Sequence, residues 1–285
     1  MRPWWLGCSL LICVGAIHGR AQSAGTSFDV ASVKLNTSGT GGGIGFEPDG
    51  RFQARNTTLA RLLGEAYAEA PGAYPASRSL PRFRIVGGPA WLDRDRFDVE
   101  ARPEGTTDAA RAHAMLRALL ADRFRVLAHT ETRQLPIYHL VRARADGRLG
   151  PRLLVSHVDC AAHRQAGTAA PGSELPAQQR PCVMRFGRSL SSAVGLTLSD
   201  FAETVLPLYV GRAVVDRTGL AGPYDWTLEW TPDQLLPTVG GDTPIDPNGP
   251  SLFAAIQEQL GLRLESASGP VSVLLVDRAE RPAEN

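Results

Sequence analysis

The sequence predicts an α+β protein of two repeated helix–strand–strand–helix–strand–strand modules, with small sheets packed on paired helices. Three observations predict it. Apolar residues recur at helical spacing in four segments and alternate in the segments between them. The order of those segments repeats once along the chain. Glycine and proline punctuate the boundaries, where turns need them.

Composition sets the frame. Of 285 residues, 43% are hydrophobic and 21% charged, with a net charge of +1. That is an ordinary globular balance, and the length suffices for one large or two small domains. Acids and bases are well mixed, which excludes a nucleic-acid surface, since that requires a clustered basic excess. Lys34 is the only lysine. The arginine bias reads as a compositional habit rather than a phosphate site.

Residues 1–21 read as a secretory signal. Arg2 forms a short basic region. The apolar run from Trp4 to Ile17 is too short for a spanning helix, which needs ~20 residues. Gly19 and Ala21 supply small residues for cleavage after Ala21. The mature chain is therefore expected to be periplasmic or extracellular and not membrane-spanning; a retained N-terminal anchor is the alternative. Cys8 and Cys13 lack the small-residue context of a lipoprotein signal. Residues 22–49 hold a strand in "TSFDVASVKL" and a glycine-rich loop, "NTSGTGGGIGFEPDGR". The loop leads to another strand rather than a helix, which argues against a phosphate cradle.

The first module spans 50–150, with its elements between roughly 50 and 145. "NTTLARLLGEAYAE" is a helix capped by Asn56 or Thr57, with Leu59, Leu62, Leu63, Ala66 and Tyr67 on one face. "RFRIVGG" and "DRFDVEARPEG" are strands. "DAARAHAMLRALLADRF" is a helix with Met115, Leu116, Leu119 and Leu120 inward and His113 on the polar side. "FRVLAHTETRQLPIYHLVRAR" reads as two strands joined by a polar turn.

Residues 151–185 read as a linker closed by a disulfide. Signal cleavage leaves Cys160 and Cys182, and two cysteines in an oxidising compartment read as one bond. Closing a loop of about 20 residues stabilises by ~3 kcal/mol in the chain-entropy picture. His157, Cys160, His163 and Cys182 form an alternative zinc set, but the H-x2-C-x2-H spacing matches no common structural motif. The disulfide is the reading adopted, with no metal and no cofactor expected.

The second module spans 186–285. "LTLSDFAETVLPLYVG" is a helix with Leu198, Phe201, Ala202 and Val205 on one face. "RAVVD" is a strand. "YDWTLEW" alternates strictly, with Tyr224, Trp226, Leu228 and Trp230 on one side and Asp225, Thr227 and Glu229 on the other. "PSLFAAIQEQLG" is a helix, and "LRLESASGPVSVLLVDR" again reads as two strands and a turn. "TTLARLL" answers "LTLSDFA", and "RFDVEA" answers "YDWTLEW". The long helix–strand runs that end each module correspond in the same way.

The linked set "GRFQARNTTLARLLGEAY", "IVGGPAWLDRDRFDVEA", "MLRALLADRFRVLAHTETRQLPIYHLV", "GRAVVDRTGLAGPYDWTLEW" and "PSLFAAIQEQLGLRLESASGPVSVLLVDRAERPAEN" resembles DUF3738, an uncharacterised family of exported proteins from soil Acidobacteria. The resemblance covers nearly the whole mature chain and transfers no catalytic residues. Some members are fused to a membrane metallopeptidase domain. This chain has neither HExxH nor spans, so that activity is not implied. The second module is also similar to the short N-terminal modules of secretins and TonB-dependent receptors, which are periplasmic interaction modules.

A search for chemistry returns little. No G-x-S-x-G elbow occurs, and His113, His129, His139, His157 and His163 stand in no catalytic pattern. Asp93, Asp95 and Asp98 cluster, and Asp216 and Asp225 flank a turn. Their neighbours Arg94, Arg96 and Arg217 make a salt-bridged surface the plainer reading. Asp216 is expected to cap its turn. Trp91, Asp98, Tyr224, Asp225, Trp226 and Trp230 are the candidate binding residues, although aromatics at period two, Phe97 among them, fit a core at least as well. The expectation is an exported, non-enzymatic interaction protein of the cell envelope. Its partner would be another envelope protein or a cell-surface component, met through an exposed sheet edge. The alternatives are a secreted hydrolase using paired Asp residues near "DRDRFD" or "DRTGLAGPYD", and a small-ligand carrier binding between the modules.

Overall fold

In the computed structural model the described residues are 27–68, 79–166, 172, 174–175, 180–232 and 248–283. The signal segment, its cleavage point near Ala21, and part of the cysteine-enclosed loop lie outside them. The fold is α+β, with three four-stranded sheets.

The first sheet is antiparallel. It contains β1 (Val30–Leu35), β2 (Ile44–Phe46) and β3 (Phe52–Thr58). Helix α1 (Leu59–Ala66) follows β3 without a loop. Its cap is Thr58, whose hydroxyl accepts from Arg61 N, and not Asn56 or Thr57. The reason is pairing: β3 is still bound to its neighbour at Thr58, so the helix cannot begin earlier. Leu59, Leu62, Leu63 and Ala66 are buried, as their spacing predicts. After a 3-10 turn at Arg82–Arg84 comes β4 (Ile85–Gly87), and after a second at Ala90–Asp93 comes β5 (Arg96–Arg102). The sheet order is β1-β5-β3-β2. Helix α2 (Ala109–Arg123) is capped by Asp108 and buries Met115, Leu116, Leu119 and Leu120. It also buries His113, at 6% exposure, against Phe46, contrary to its predicted polar placement. The helix is enclosed more widely than a single apolar stripe because β2 lies across that side.

The next strand departs most from expectation. β6 (Leu127–Arg142) is one strand of 16 residues with no turn in it. Further along come β7 (Leu153–Val155), the short helix α3 (Cys160–Gln165), β8 (Arg185–Phe186) and β9 (Leu190–Leu196). A long helix follows as three joined pieces: α4 (Leu198–Asp200), a π-helical turn at Phe201–Val205, and α5 (Leu206–Val210), which ends on left-handed Gly211. Thr197 and Asp200 form a reciprocal capping box at its start. β10 (Val214–Asp216) and β11 (Tyr224–Glu229) come next, then α6 (Leu252–Ala255) with a π-helical turn at Ile256–Leu260. The chain closes with β12 (Leu262–Arg278), again a single strand, of 17 residues.

β6 and β12 pair antiparallel along their whole length, from Arg142 opposite Leu262 to Leu127 opposite Arg278. The prolines and polar residues that read as turns sit inside this ribbon. Ala143 N donates to Gly261 O, so odd-numbered β6 residues form the hydrogen-bonded pairs. Pro136 and Pro270 both occupy the other kind of position, opposite Ser268 and Gln134. Their missing N–H groups point away from the ribbon, where no bond is lost.

The third sheet, β7-β11-β9-β8, is antiparallel. The middle sheet, β10-β6-β12-β4, interlocks the halves. β4 runs parallel to β12, and β10 runs parallel to β6, so each half donates a short strand to the long strand of the other. Two large cores result. The first gathers α1, α2 and the first sheet, and takes in Leu274 and Val276 from β12. The second gathers the helices and sheet of the later half, and takes in Leu140 from β6. A small third cluster around Ile137, Val271 and Val273 lies on the ribbon between them. Among the described residues no helix is long and apolar enough to cross a membrane.

Leu274 is distant in sequence from the first core yet buried in it. Leu274→Ala should cost about 2–5 kcal/mol, as for other buried leucines. Because the ribbon enters both cores, urea unfolding followed by tryptophan fluorescence and by far-UV circular dichroism should give one coincident transition. Two separated transitions would show that the halves fold independently.

Candidate binding cleft

The two candidate aspartates lie in different sheets, Asp98 on β5 and Asp225 on β11. Both are committed to the same structural task. In β3 the register slips between Ala54 and Thr57, leaving two residues opposite Asp98. In β9 a matching slip leaves two residues opposite Asp225. Such bulges strand a backbone N–H. Asp98 accepts it from Asn56 N at 2.8 Å, and Asp225 accepts it from Gly195 N at 2.9 Å. Both donors have left-handed backbone, with φ of 50° and 77°. Asp98 also accepts from Asn36 Nδ2 at 2.9 and 3.0 Å, and Asn36 Oδ1 in turn accepts from Ser38 N and Gly39 N in the glycine-rich loop. Asp93 and Asp95 bind Arg82 and Arg281, rather than their sequence neighbours. Asp216 caps its turn, accepting from Thr218 N at 2.9 Å.

The candidate aromatics are packed. Tyr224, Trp226 and Trp230 are buried in the second core. Trp226 lies 5.2 Å from Phe201 between ring centroids, and Trp230 lies 4.8 Å from Tyr209. Trp91 is half-buried, edge-on to Phe97 and covered by the guanidinium of Arg281 at 5.2 Å. None of the six candidate residues lines the main cavity. Cys160 and Cys182 are joined as a disulfide, with Cα atoms 5.4 Å apart, so neither offers a thiolate to a metal. The bond packs on the second bulge: a Cβ at Gly195 would lie 2.6 Å from Cys160 Sγ and 2.7 Å from Val158 O.

The main cavity is a cleft of about 920 Å³ where the two halves meet. Helix α1 and the 3-10 turn at Arg82–Arg84 form one wall. The π-helical turn and α5 form the other, with β10 and the middle of β12 also contributing. Its apolar surface includes Leu80, Phe83, Pro207, Ala213, Val215 and Val271. Two large apolar side chains at this cleft, Phe186 and Leu208, are 47% and 52% exposed.

Most charges in the cleft are held by internal partners, while Arg61 is exposed. Arg82 grips Asp93 through two hydrogen bonds of 2.5 and 2.6 Å and also donates to Ile85 O. The guanidinium holds the Asp93 carboxyl below its usual range. Arg84 Nε donates to Ser272 O at 2.7 Å. Ser79 donates to Glu65. Glu203 and Thr204 from the facing wall also line the cleft. From the sequence, a small-ligand site between the modules is only an alternative, with none of the residues that line this site assigned to it. Its one legible sign was Leu208, a large apolar residue left off the buried face of its helix.

Asp225→Ala should cost about 1–3 kcal/mol in urea unfolding, because Gly195 N–H loses its acceptor. Asp225→Asn, which keeps an acceptor, should cost less. Unchanged stability in Asp225→Ala would remove the bulge assignment. The Arg82–Asp93 pair is exposed, so Arg82→Gln should cost only about 0.5–1 kcal/mol at neutral pH. The folded pKa of Asp93 is depressed, so this contribution is present above 3.8 and is lost as the pH falls through the depressed value. The stability gap between wild type and Arg82→Gln should therefore narrow under acid titration, as read from denaturation curves.

No curated protein and no solved structure matches the chain. The family described as "Protein of unknown function (DUF3738)" matches residues 74–279, which is most of the sequence. The chain belongs to the DUF3738 family.

Proposed function

We propose that this protein is an exported, non-enzymatic binding protein of the cell envelope, and that its site is the cleft between the two halves. The observation that carries the reading is the cleft itself. It has a volume of about 920 Å³, is apolar over much of its wall, and draws on both halves of the chain. Sites of this kind sit where structural units meet. Glu65, Arg82, Asp93 and Arg84 in its lining have protein partners, rather than standing as a poised acid and base. The two exposed apolar side chains, Phe186 and Leu208, fit a surface that a ligand covers.

Export rests on the signal-like residues 1–21 and agrees with the disulfide. Descent from a duplicated module rests on the recurring element order, the two aspartate-locked bulges and the reciprocal pairing of β4 with β12 and of β10 with β6. The likeness of the second module to secretin and TonB-type N-terminal modules supports a binding role.

The test is affinity capture from the organism's own envelope fraction, with the mature chain and an Ala213→Trp variant as baits, and with both protein and solvent-extractable material recovered. The wild type should retain a component that the variant retains about tenfold less. Equal recovery by both, or no retained component, would defeat the proposal.

A further inference from the structure

We infer that the cleft takes an uncharged, largely apolar small molecule, such as a lipid-like chain or a hydrophobic polycycle. This rests on the cleft being the binding site and adds the chemical class of its ligand.

The inference follows from how the lining is partnered. Phe83, Val215 and Val271 lie at the junction cluster of the ribbon, so the deep surface is hydrocarbon. Charge is present, but most of it is engaged within the protein, and Arg61 is exposed to solvent. Arg82 is held on two sides, by Asp93 and by Ile85 O. Arg84 is bound to the backbone of β12. Glu65 is engaged by Ser79. Three arginines line the cleft (Arg61, Arg82, Arg84), and so do three acids (Glu65, Asp93, Glu203), so the lining carries no excess of either sign. An anionic ligand would have to compete with Asp93 for Arg82, and a cationic one with Arg82 for Asp93. At that pair, either would lose solvation without gaining an unopposed counter-charge. A neutral apolar molecule meets neither penalty and removes hydrocarbon from water on both sides of the contact. The volume of about 920 Å³ is large for a cofactor fragment and falls within the ~300–1,000 Å³ of ligand pockets.

The experiment uses the mature, disulfide-bonded chain and two fluorescent probes. Nile red is neutral, and 8-anilinonaphthalene-1-sulfonate is anionic. Nile red should bind with blue-shifted emission, and its affinity should change by less than about twofold between low and high salt. Leu208→Glu, at an exposed position that the fold does not need, should weaken it about tenfold, as should Ala213→Trp. Asp93→Asn, which frees the Arg82 guanidinium, should tighten the sulfonate about tenfold. Thermal melts of each variant confirm folding, and Leu208→Glu keeps the test decisive if Ala213→Trp fails to fold. If the sulfonate binds wild type more tightly than Nile red and is still lost in Leu208→Glu, the ligand class is overturned while the cleft stands as a site. If Nile red does not bind at all, the ligand class is likewise overturned. If binding of both probes ignores both cleft substitutions, the cleft reading itself falls.

Discussion

The antiparallel pairing of β6 with β12 is the constraint on which the rest of the structure depends. One strand comes from the middle of the sequence and the other from near its C-terminal end. One end of the ribbon supplies Leu274 and Val276 to the first core, and the other supplies Leu140 and Leu262 to the second. The short strands β4 and β10 then attach to its two edges, each to the long strand of the other half. A chain so tied has little freedom to separate into independent domains, since parting the halves would break a continuous ladder and open both cores together.

The same tie makes the cleft. The first half brings α1 and the turn at Arg82–Arg84 to one side of the junction, and the second half brings its long helix to the other. The ribbon holds them apart at a set distance, so the gap is part of the fold rather than a packing defect. Several charged residues in the gap are engaged by the protein itself, Arg82 with Asp93, Glu65 with Ser79 and Arg84 with Ser272. What remains open to a visitor is mainly hydrocarbon.

The stretch "GRAVVDRTGLAGPYDWTLEW" is dense in charged and aromatic residues, and the structure uses it as framework. Asp225 closes a bulge, Asp216 closes a turn, and Tyr224, Trp226 and Trp230 fill the core. The disulfide lies against that bulge, where Gly195 leaves no room for a side chain. A carboxylate here does the work of a missing strand partner. That role needs both strands in register, and one strand read alone cannot show it.

Helix faces were legible in the sequence because an amphipathic helix records its own burial every three or four residues: Leu59, Leu62 and Leu63, or Leu198, Phe201 and Val205. The disulfide was legible because, with residues 1–21 set aside, only two cysteines remain. Strand alternation in "YDWTLEW" was legible for the same local reason. The long strands were not. Pro136, Gly269 and Pro270 carry turn chemistry, and only their position opposite a distant partner makes them acceptable within a strand. The cleft was illegible too, because its walls come from α1, β10, α5 and β12, which meet only once the ribbon has formed. Local periodicity determined which residues are buried; long-range pairing alone decided what they are buried against and where a space was left.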